Sequence, residues 1–236
     1  MTDIIITDLT RFANRDYLCI AGVTLDGKKC IRPLLNFDGV NPGYLKYEDC
    51  RKNNILPGTI LTANFRSPQT RHLPHVEDWI VSGNITISRA ATSDEFQSVL
   101  DATAYDSVDE GFGVLTNGEK RYPVDGPSPV RSIITLRVQP ENFWVFEDGY
   151  GKLRAHFRDA TGKKYSYLSV TDLGFFDYVG NPDTRRMQPD DAISVIRDED
   201  ELYLRIGLGR EYQGSYWLQV NGIYTFPNYS LVLRHY

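Results

Sequence analysis

Along this chain, apolar positions recur at every second residue, or cluster as β-branched runs, far more often than at the spacing of a helix face. In the first half DIIITDL, YLCIAGVTL, KCIRPLL, TILTANF and WIVSGNITI read as strands. In the second half SIITLRV, LRAHFRD, YSYLSV, ELYLRIGL and WLQVNGIYTF read the same way. Gly, Pro, Asn or Asp bounds each run. Turn pairs stand at Asp26-Gly27, Asn117-Gly118, Asp148-Gly149 and Asn221-Gly222, where the first residue tolerates positive φ and glycine accepts it without a Cβ clash.

Helical spacing is confined to three stretches. In TSDEFQSVLDATAY, residues 92–105, Phe96, Val99 and Leu100 share a face behind Ser93 as N-cap. Thr171 or Asp172 caps a short helix before the next apolar run, and QPDDAISVI offers a third. The pattern is mainly β.

Two hairpins look alike. CIAGVTLDGKKCIRPLL and AHFRDATGKKYSYLSV each turn about a glycine and start the returning run with Gly-Lys-Lys. Between them YPVDGPSPVRS, residues 122–132, carries three prolines. This punctuation predicts an N-terminal domain over 1–124, a linker at 125–130 and a C-terminal domain over 131–236. Five strands and a short helix in each part are the inventory of the OB fold, with the hairpin joining its second and third strands. The expected architecture is therefore mainly β: two tandem OB-fold-like five-stranded Greek-key barrels with short helices.

Composition narrows the functional classes. At 41% hydrophobic and 24% charged residues the chain has a soluble protein's balance. No apolar stretch approaches the roughly 20 residues that span a bilayer. The opening MTDIIITDLTR places acids where a secretory signal has bases, so the expectation is a cytoplasmic protein without a membrane partner. Three cysteines (Cys19, Cys30, Cys50), with no CxxC pair, argue against a disulfide framework or structural zinc. The net charge of −5 means that nucleic-acid binding would need a local basic patch. Fifteen Tyr, eleven Phe and three Trp suit β-structure and equally suit base stacking.

Candidate ligand contacts follow from the barrel reading. Lys28, Lys29, Lys163 and Lys164 stand at the hairpin tips, with Arg154, Arg158, Arg185 and Arg186 as possible rims of a groove. His156, Phe157, Tyr165 and Tyr167 lie on or beside the face of the second and third strands, where an OB barrel usually carries its ligand. Strand alternation sends half of them into the core. Arg32 ends a strand before Pro33, positioned either to hold a phosphate or to pair with Asp78 or Glu77. Arg210, in GLGREYQGSYW, is a further candidate contact at a bend.

The loop RHLPHVEDW gathers His72, His75, Glu77 and Asp78 beside Trp79. Three readings stay open: a divalent-metal site, for which no further ligand is visible; a polar loop with Trp79 buried and His75 hydrogen-bonded locally; or a ligand contact through His75 and Trp79. No metal or cofactor is assigned. GxSxG, HExxH and Walker motifs are absent, and Asp190/Asp191 and the acids at 198–201 read as solvated loop residues. No catalytic residue is assigned.

Several phrases carry a resemblance: YLCIAGVTLDGKKCIRPL, ILPGTIL and HLPHVEDW, then LRAHFRDATGKKYSYLSVTDLGFFDYV and LRIGLGREYQGSYWLQVNGIYTFP. In that order the chain resembles the prokaryotic dual OB-fold domain family, found alongside bacterial defence and conflict systems. The resemblance implies two OB barrels and a non-catalytic role binding single-stranded nucleic acid or a nucleotide. The alternative expectation is a protein-interaction subunit of a defence complex.

Overall fold

The structure is a computed structural model that describes residues 1–14, 16–34, 44–69 and 73–228. His72, and Leu35 at the end of the third expected strand, lie outside these residues. Strands β1 (Thr2–Arg11), β2 (Tyr17–Thr24) and β3 (Cys30–Leu34) form an antiparallel meander. A short strand β4 (Leu45–Lys46) and helix α1 (Tyr47–Lys52) lead to β5 (Thr59–Arg66) and β6 (Asp78–Ala90). β6 pairs antiparallel with β5 and parallel with β3, while β5 returns to β1. The ring β1-β2-β3-β6-β5 thus closes, leaving those five strands no open edge.

β1 shows how the sequence aims its side chains. Ile4, Ile6 and Leu9 enter the barrel core, whereas Ile5 points outward. A pure period of two would send Asp8 inward after Ile4 and Ile6. The register shifts between Ile6 and Asp8, so a bulge at Thr7 resets the phase and turns Asp8 out of the apolar core.

Helix α2 (Ser93–Ala102) follows, burying Phe96, Val99 and Leu100 as its spacing predicts. Its cap is Thr92, one residue before the expected Ser93. The reason is the partner three positions on. Glu95 N–H donates to Thr92 Oγ1 at 3.1 Å, and Thr92 N–H donates to the Glu95 carboxylate at 2.8 Å. Ser93 would have Phe96 there.

Next come β7 (Ala104–Tyr105), α3 (Val108–Phe112) and β8 (Arg121–Pro123). These elements precede residues 125–130 in the chain but join the strands that follow them. β7 pairs with β9 (Ile133–Val138), β8 pairs with the last strand of the chain, and Val108, Phe112 and Tyr122 enter the second core.

The second barrel continues through β10 (Phe143–Glu147), β11 (Leu153–Arg158) and β12 (Lys164–Val170). Helix α4 (Leu173–Phe175) runs into a π-turn (Phe176–Gly180), and α5 (Pro189–Arg197) precedes β13 (Glu201–Leu208) and β14 (Ser215–Phe226). Asp172 caps α4, accepting from Phe175 N–H at 3.1 Å. The strand order is β10-β11-β12-β14-β13-β9, with β12 and β14 parallel. One 3₁₀ turn, Pro140–Asn142, joins β9 to β10, so the first and last of these six strands are successive halves of one broken strand, and β7 adds outside β9. The β10 half was not expected from sequence. In both barrels the Gly-Lys-Lys hairpin joins the second and third strands, as expected.

Asn221-Gly222, expected to turn the chain, instead lies within β14. Arg205 opposes Gly222 and Ile206 opposes Val220, which leaves Asn221 as an extra, bulged residue. The bulge moves the inward set from Leu218 and Val220 to Ile223 and frees Tyr224 and Phe226 to face outward. Backbone space makes this possible: a Cβ at Gly207 would sit 2.4 Å from Asn221 Nδ2, and one at Gly222 would sit 2.6 Å from the Tyr224 ring.

Those outward residues build the junction. Ile5, Val23 and Ile60 of the first barrel pack with Phe96 and Leu100 of α2 and with Tyr203, Tyr224 and Phe226 of the second barrel. Each large side chain removed from water there contributes on the order of 1.5–3 kcal/mol. A polar lock runs through the same layer. Arg205, 1% exposed, donates Nε to Asp8 Oδ2 at 2.9 Å, Nη1 to Thr135 Oγ1 at 2.7 Å and Nη2 to Cys30 Sγ at 3.2 Å. Tyr224 Oη donates to the Thr7 carbonyl at 2.6 Å, so the β1 bulge that turns Asp8 toward the junction also presents this acceptor.

Candidate nucleic-acid interface

On the second barrel, strand alternation places Trp144 and Phe146 of β10 and Arg154, His156 and Arg158 of β11 on the outer side. Phe143, Val145, Ala155 and Phe157 fill the core between them. β12 departs from simple alternation. Ala155 pairs with Leu168 and Phe157 with Tyr165, so one residue of β11 opposes two of β12. Tyr167 takes φ 60°, a left-handed conformation that is uncommon for a tyrosine, and lies exposed.

The expectation for Tyr165 is therefore corrected. It is fully buried, stacked on Phe157 at 5.0 Å, with its hydroxyl 2.6 Å from Thr116 Oγ1. Burial pushes that phenol well above its ordinary pKa. The outer ring at this level is Tyr167.

Phe146, His156 and Tyr167 form a mutual edge-to-face cluster, with centroids 4.4, 4.9 and 5.5 Å apart. Trp144 stands directly across from His156 on the neighbouring strand. Burial, then the Lys164 charge, lowers the His156 pKa and keeps the ring neutral near pH 7. Lys120 Nζ lies 6.0 Å from the Tyr167 ring and 5.8 Å from the Trp217 ring of β14, and Arg121 approaches Trp217 at 5.8 Å. The result is an aromatic strip edged by cations.

Those cations differ in freedom. Arg154 is held by Asp148 at 2.8 Å and Ser169 at 2.7 Å, and Lys163 by Asp109 at 2.5 Å. Lys120, Arg121, Arg158 and Lys164 make no ion pair among the described residues. Arg185, another expected rim residue, pairs with Glu147 at 2.5 Å. Sequence reading missed Trp144, Phe146, Lys120, Arg121 and Trp217. Only their residue types signalled them, since β8 and β14 are separated in the chain by β9 to β13.

The first barrel uses the equivalent face differently. Cys30 on β3 contacts Arg205 of the second barrel, and Val23 on β2 joins the apolar junction. Arg32 Nε pairs with Asp78 Oδ1 at 2.5 Å, one of the two partners expected for it. Arg210 reaches the other oxygen of Asp78 at 2.7 Å and is half-exposed. Lys28 pairs with Asp26 at 3.4 Å on the exposed tip, and Lys29 lies 5.5 Å from the partly buried Trp79 ring. The two Gly-Lys-Lys tips therefore answer to different neighbours.

In the HVEDW segment, the acids and the imidazole turn to separate partners. Glu77 accepts from Ser132 N–H at 2.9 Å, Ser132 Oγ at 2.7 Å and Ile133 N–H at 3.2 Å, tying the two barrels together. Burial raises the Glu77 pKa, against these bonds and the Arg32 charge. Asp78 is held down by Arg32 and Arg210, despite the opposing effect of its burial. His75 is 7% exposed and packs edge-on to Tyr216 at 6.0 Å. Neither of its ring nitrogens finds a hydrogen-bond partner among the described residues, so the expected local bond is not made. Burial first, then Arg210 and Arg32, push its pKa down to about 3. Among the described residues no three His, Cys, Asp or Glu side chains converge as a metal set. None of the described helices is long and apolar enough to cross a membrane.

No curated protein and no solved structure matches this chain. The sequence profile of the Dual OB-containing domain matches residues 4–223, spanning both barrels and the junction between them. With that match and two barrels of OB topology, the chain belongs to the Dual OB-containing domain family.

Proposed function

We propose that this protein is a non-catalytic binding module whose second barrel holds single-stranded nucleic acid across the outer face of β10, β11, β12 and β14. The observation that carries the reading is the strip of Trp144, Phe146, His156, Tyr167 and Trp217, with four cations on or beside these strands that make no ion pair among the described residues. Unstacked bases find ring faces there, and the phosphates find Lys120, Arg121, Arg158 and Lys164. Base–aromatic stacking tolerates sequence, so the expected selectivity is for single strands over duplex rather than for a motif. The net charge of −5 leaves room for such a local patch, and Arg154, Lys163 and Arg185 neutralise Asp148, Asp109 and Glu147 on this barrel. In the defence setting that the resemblance implies, such a module would supply the nucleic-acid grip of a larger assembly.

Fluorescence anisotropy with labelled DNA and RNA strands of about 12 nucleotides, matching the site size of one OB fold, tests the reading. If the four free cations each neutralise a phosphate, log affinity falls against log salt with a slope of about −3. Absence of a saturable signal at micromolar protein, or affinity indifferent to salt, would overturn it. Co-purification of a neighbouring gene product that survives nuclease treatment, with no oligonucleotide binding, would instead favour a protein-interaction role.

A further inference from the structure

Under the outer strip, β12 and β14 meet over a short length only. They pair in parallel through Ser169 with Gln219 and Val170 with Val220. Tyr167 and Trp217, two residues before Ser169 and Gln219, lie beyond that ladder, where β14 pairs instead with β8 from Ser215 to Trp217. The two rings thus stand on strands that part. What they share is Lys120, whose Nζ lies 6.0 Å from the Tyr167 ring and 5.8 Å from the Trp217 ring.

The segment leading to Lys120 is tied to both sides of this split. Toward β14, the Lys120 carbonyl accepts from Leu218 N–H at 2.9 Å. Toward β12, the buried Thr116 places Oγ1 2.6 Å from the Oη of Tyr165. The Thr116 hydroxyl gives its single proton to Asp109 Oδ1 at 2.6 Å, so the Tyr165 phenol is the donor in their pair. Thr116 N–H donates to the same Asp109 oxygen at 2.8 Å. A tight turn follows: Glu119 N–H donates to the Thr116 carbonyl at 3.0 Å, with Asn117 and Gly118 at φ 55° and 75°. Gly118 lies against β12, where a Cβ would sit 2.9 Å from the Lys164 carbonyl oxygen.

We infer that Thr116 is a positioning residue for the second barrel's grip: anchored by Tyr165 and Asp109, it holds the turn that sets Lys120 between the Tyr167 and Trp217 rings. That role rests on the strip's being the nucleic-acid site. It gives the buried Tyr165 a part played through its hydroxyl, since its ring face is stacked on Phe157. Without the Thr116 hydroxyl the turn loses its hydrogen-bonded tie to β12, and ordering Lys120 falls to the ligand, at a cost in affinity.

Anisotropy with the same labelled strands, on full-length variants whose folding is checked by urea unfolding, tests the role. Thr116→Val is the informative change, because Asp109→Asn would also release Lys163. It is expected to weaken binding about fivefold and to bring the salt slope from about −3 to about −2, as one phosphate contact is lost. Lys120→Ala does the same alone and adds less than about twofold in the Thr116→Val background. Thr116→Ser, which keeps the hydroxyl, restores affinity and slope. A purely structural role would leave the slope and the additivity untouched. Should Thr116→Val fail to fold, Tyr165→Phe is read against the same expectations. Unchanged affinity and slope, full additivity with Lys120→Ala, or a loss that Thr116→Ser shares would overturn the assignment. If the unmodified protein binds no strand, the strip falls and the anchor with it; if it binds with the expected slope and Thr116→Val matches it, the anchor alone falls.

Discussion

Two barrels of the same topology use the outer side of their second and third strands in opposite ways. In the first, Val23 and Cys30 are turned onto the other barrel, and Arg32 is tied to Asp78. In the second, His156 and Tyr167 face outward among rings and free cations. The difference lies in local register and composition. β2 carries small apolar residues at its outward positions (Cys19, Ala21, Val23), which suit a neighbouring surface, whereas β11 carries Arg154, His156 and Arg158. One face serves as mortar, and the other is left as an outward aromatic and basic surface.

The comparison can be broken at its most buried point. Arg205→Ala should destabilise the protein by about 3–5 kcal/mol in urea unfolding, because Asp8 would remain as an uncompensated buried charge. A loss below about 1 kcal/mol would mean the junction does not rely on the lock. On the second barrel, Trp217→Ala or Tyr167→Ala should each cost about 1–3 kcal/mol of oligonucleotide binding, while Lys28→Gln on the first hairpin should change it little. Equal losses at Lys28 and Trp217 would erase the distinction between the faces.

A pH series sharpens the comparison at the junction. His75 is held neutral in the fold at a pKa of about 3, whereas the unfolded chain titrates it near 6.5. Between those values the unfolded state binds more protons. The penalty is absent above about pH 6.5 and grows as pH falls, reaching about 2 kcal/mol at pH 5. His75→Gln should remove that part of the acid destabilisation. Parallel stability curves for the two proteins from pH 7 to 5 would refute it. The smallest expected effect is Tyr224→Phe, which strips the Thr7 carbonyl of its Oη donor at a cost of about 1 kcal/mol, read as a shift of the urea midpoint.

Much of this architecture is legible in the chain, because closed β-barrels repeat a period of two that survives burial. All ten expected runs correspond to strands, and both Gly-Lys-Lys hairpins sit where the barrel order requires. The failures have physical causes. FWVFE hides its alternation because its outward positions are themselves aromatic, Trp144 and Phe146. Asn221-Gly222 signals an irregular backbone correctly, but a bulge and a turn share that chemistry, and only the packing of Asn221 over Gly207 distinguishes them. The exchange of Tyr165 for Tyr167 follows from a β12 bulge whose central residue is not glycine, so no composition cue marks it. The strip itself was half visible: His156, Arg158 and Lys164 are local, but Trp217 and Arg121 come together only through the β8–β14 pairing.

That last pairing also orders events in time. Tyr122 is synthesised about 90 residues before Tyr216, its partner in the ladder. The first barrel's five strands are complete by Ala90, so it can close while the ribosome is still producing the second, whereas the segment carrying Lys120 and Arg121 must wait for the final strand. A nascent chain that has not yet reached β14 would therefore hold a finished first ring while β8 still lacks its partner, with Lys120 and Arg121 not yet brought beside Trp217.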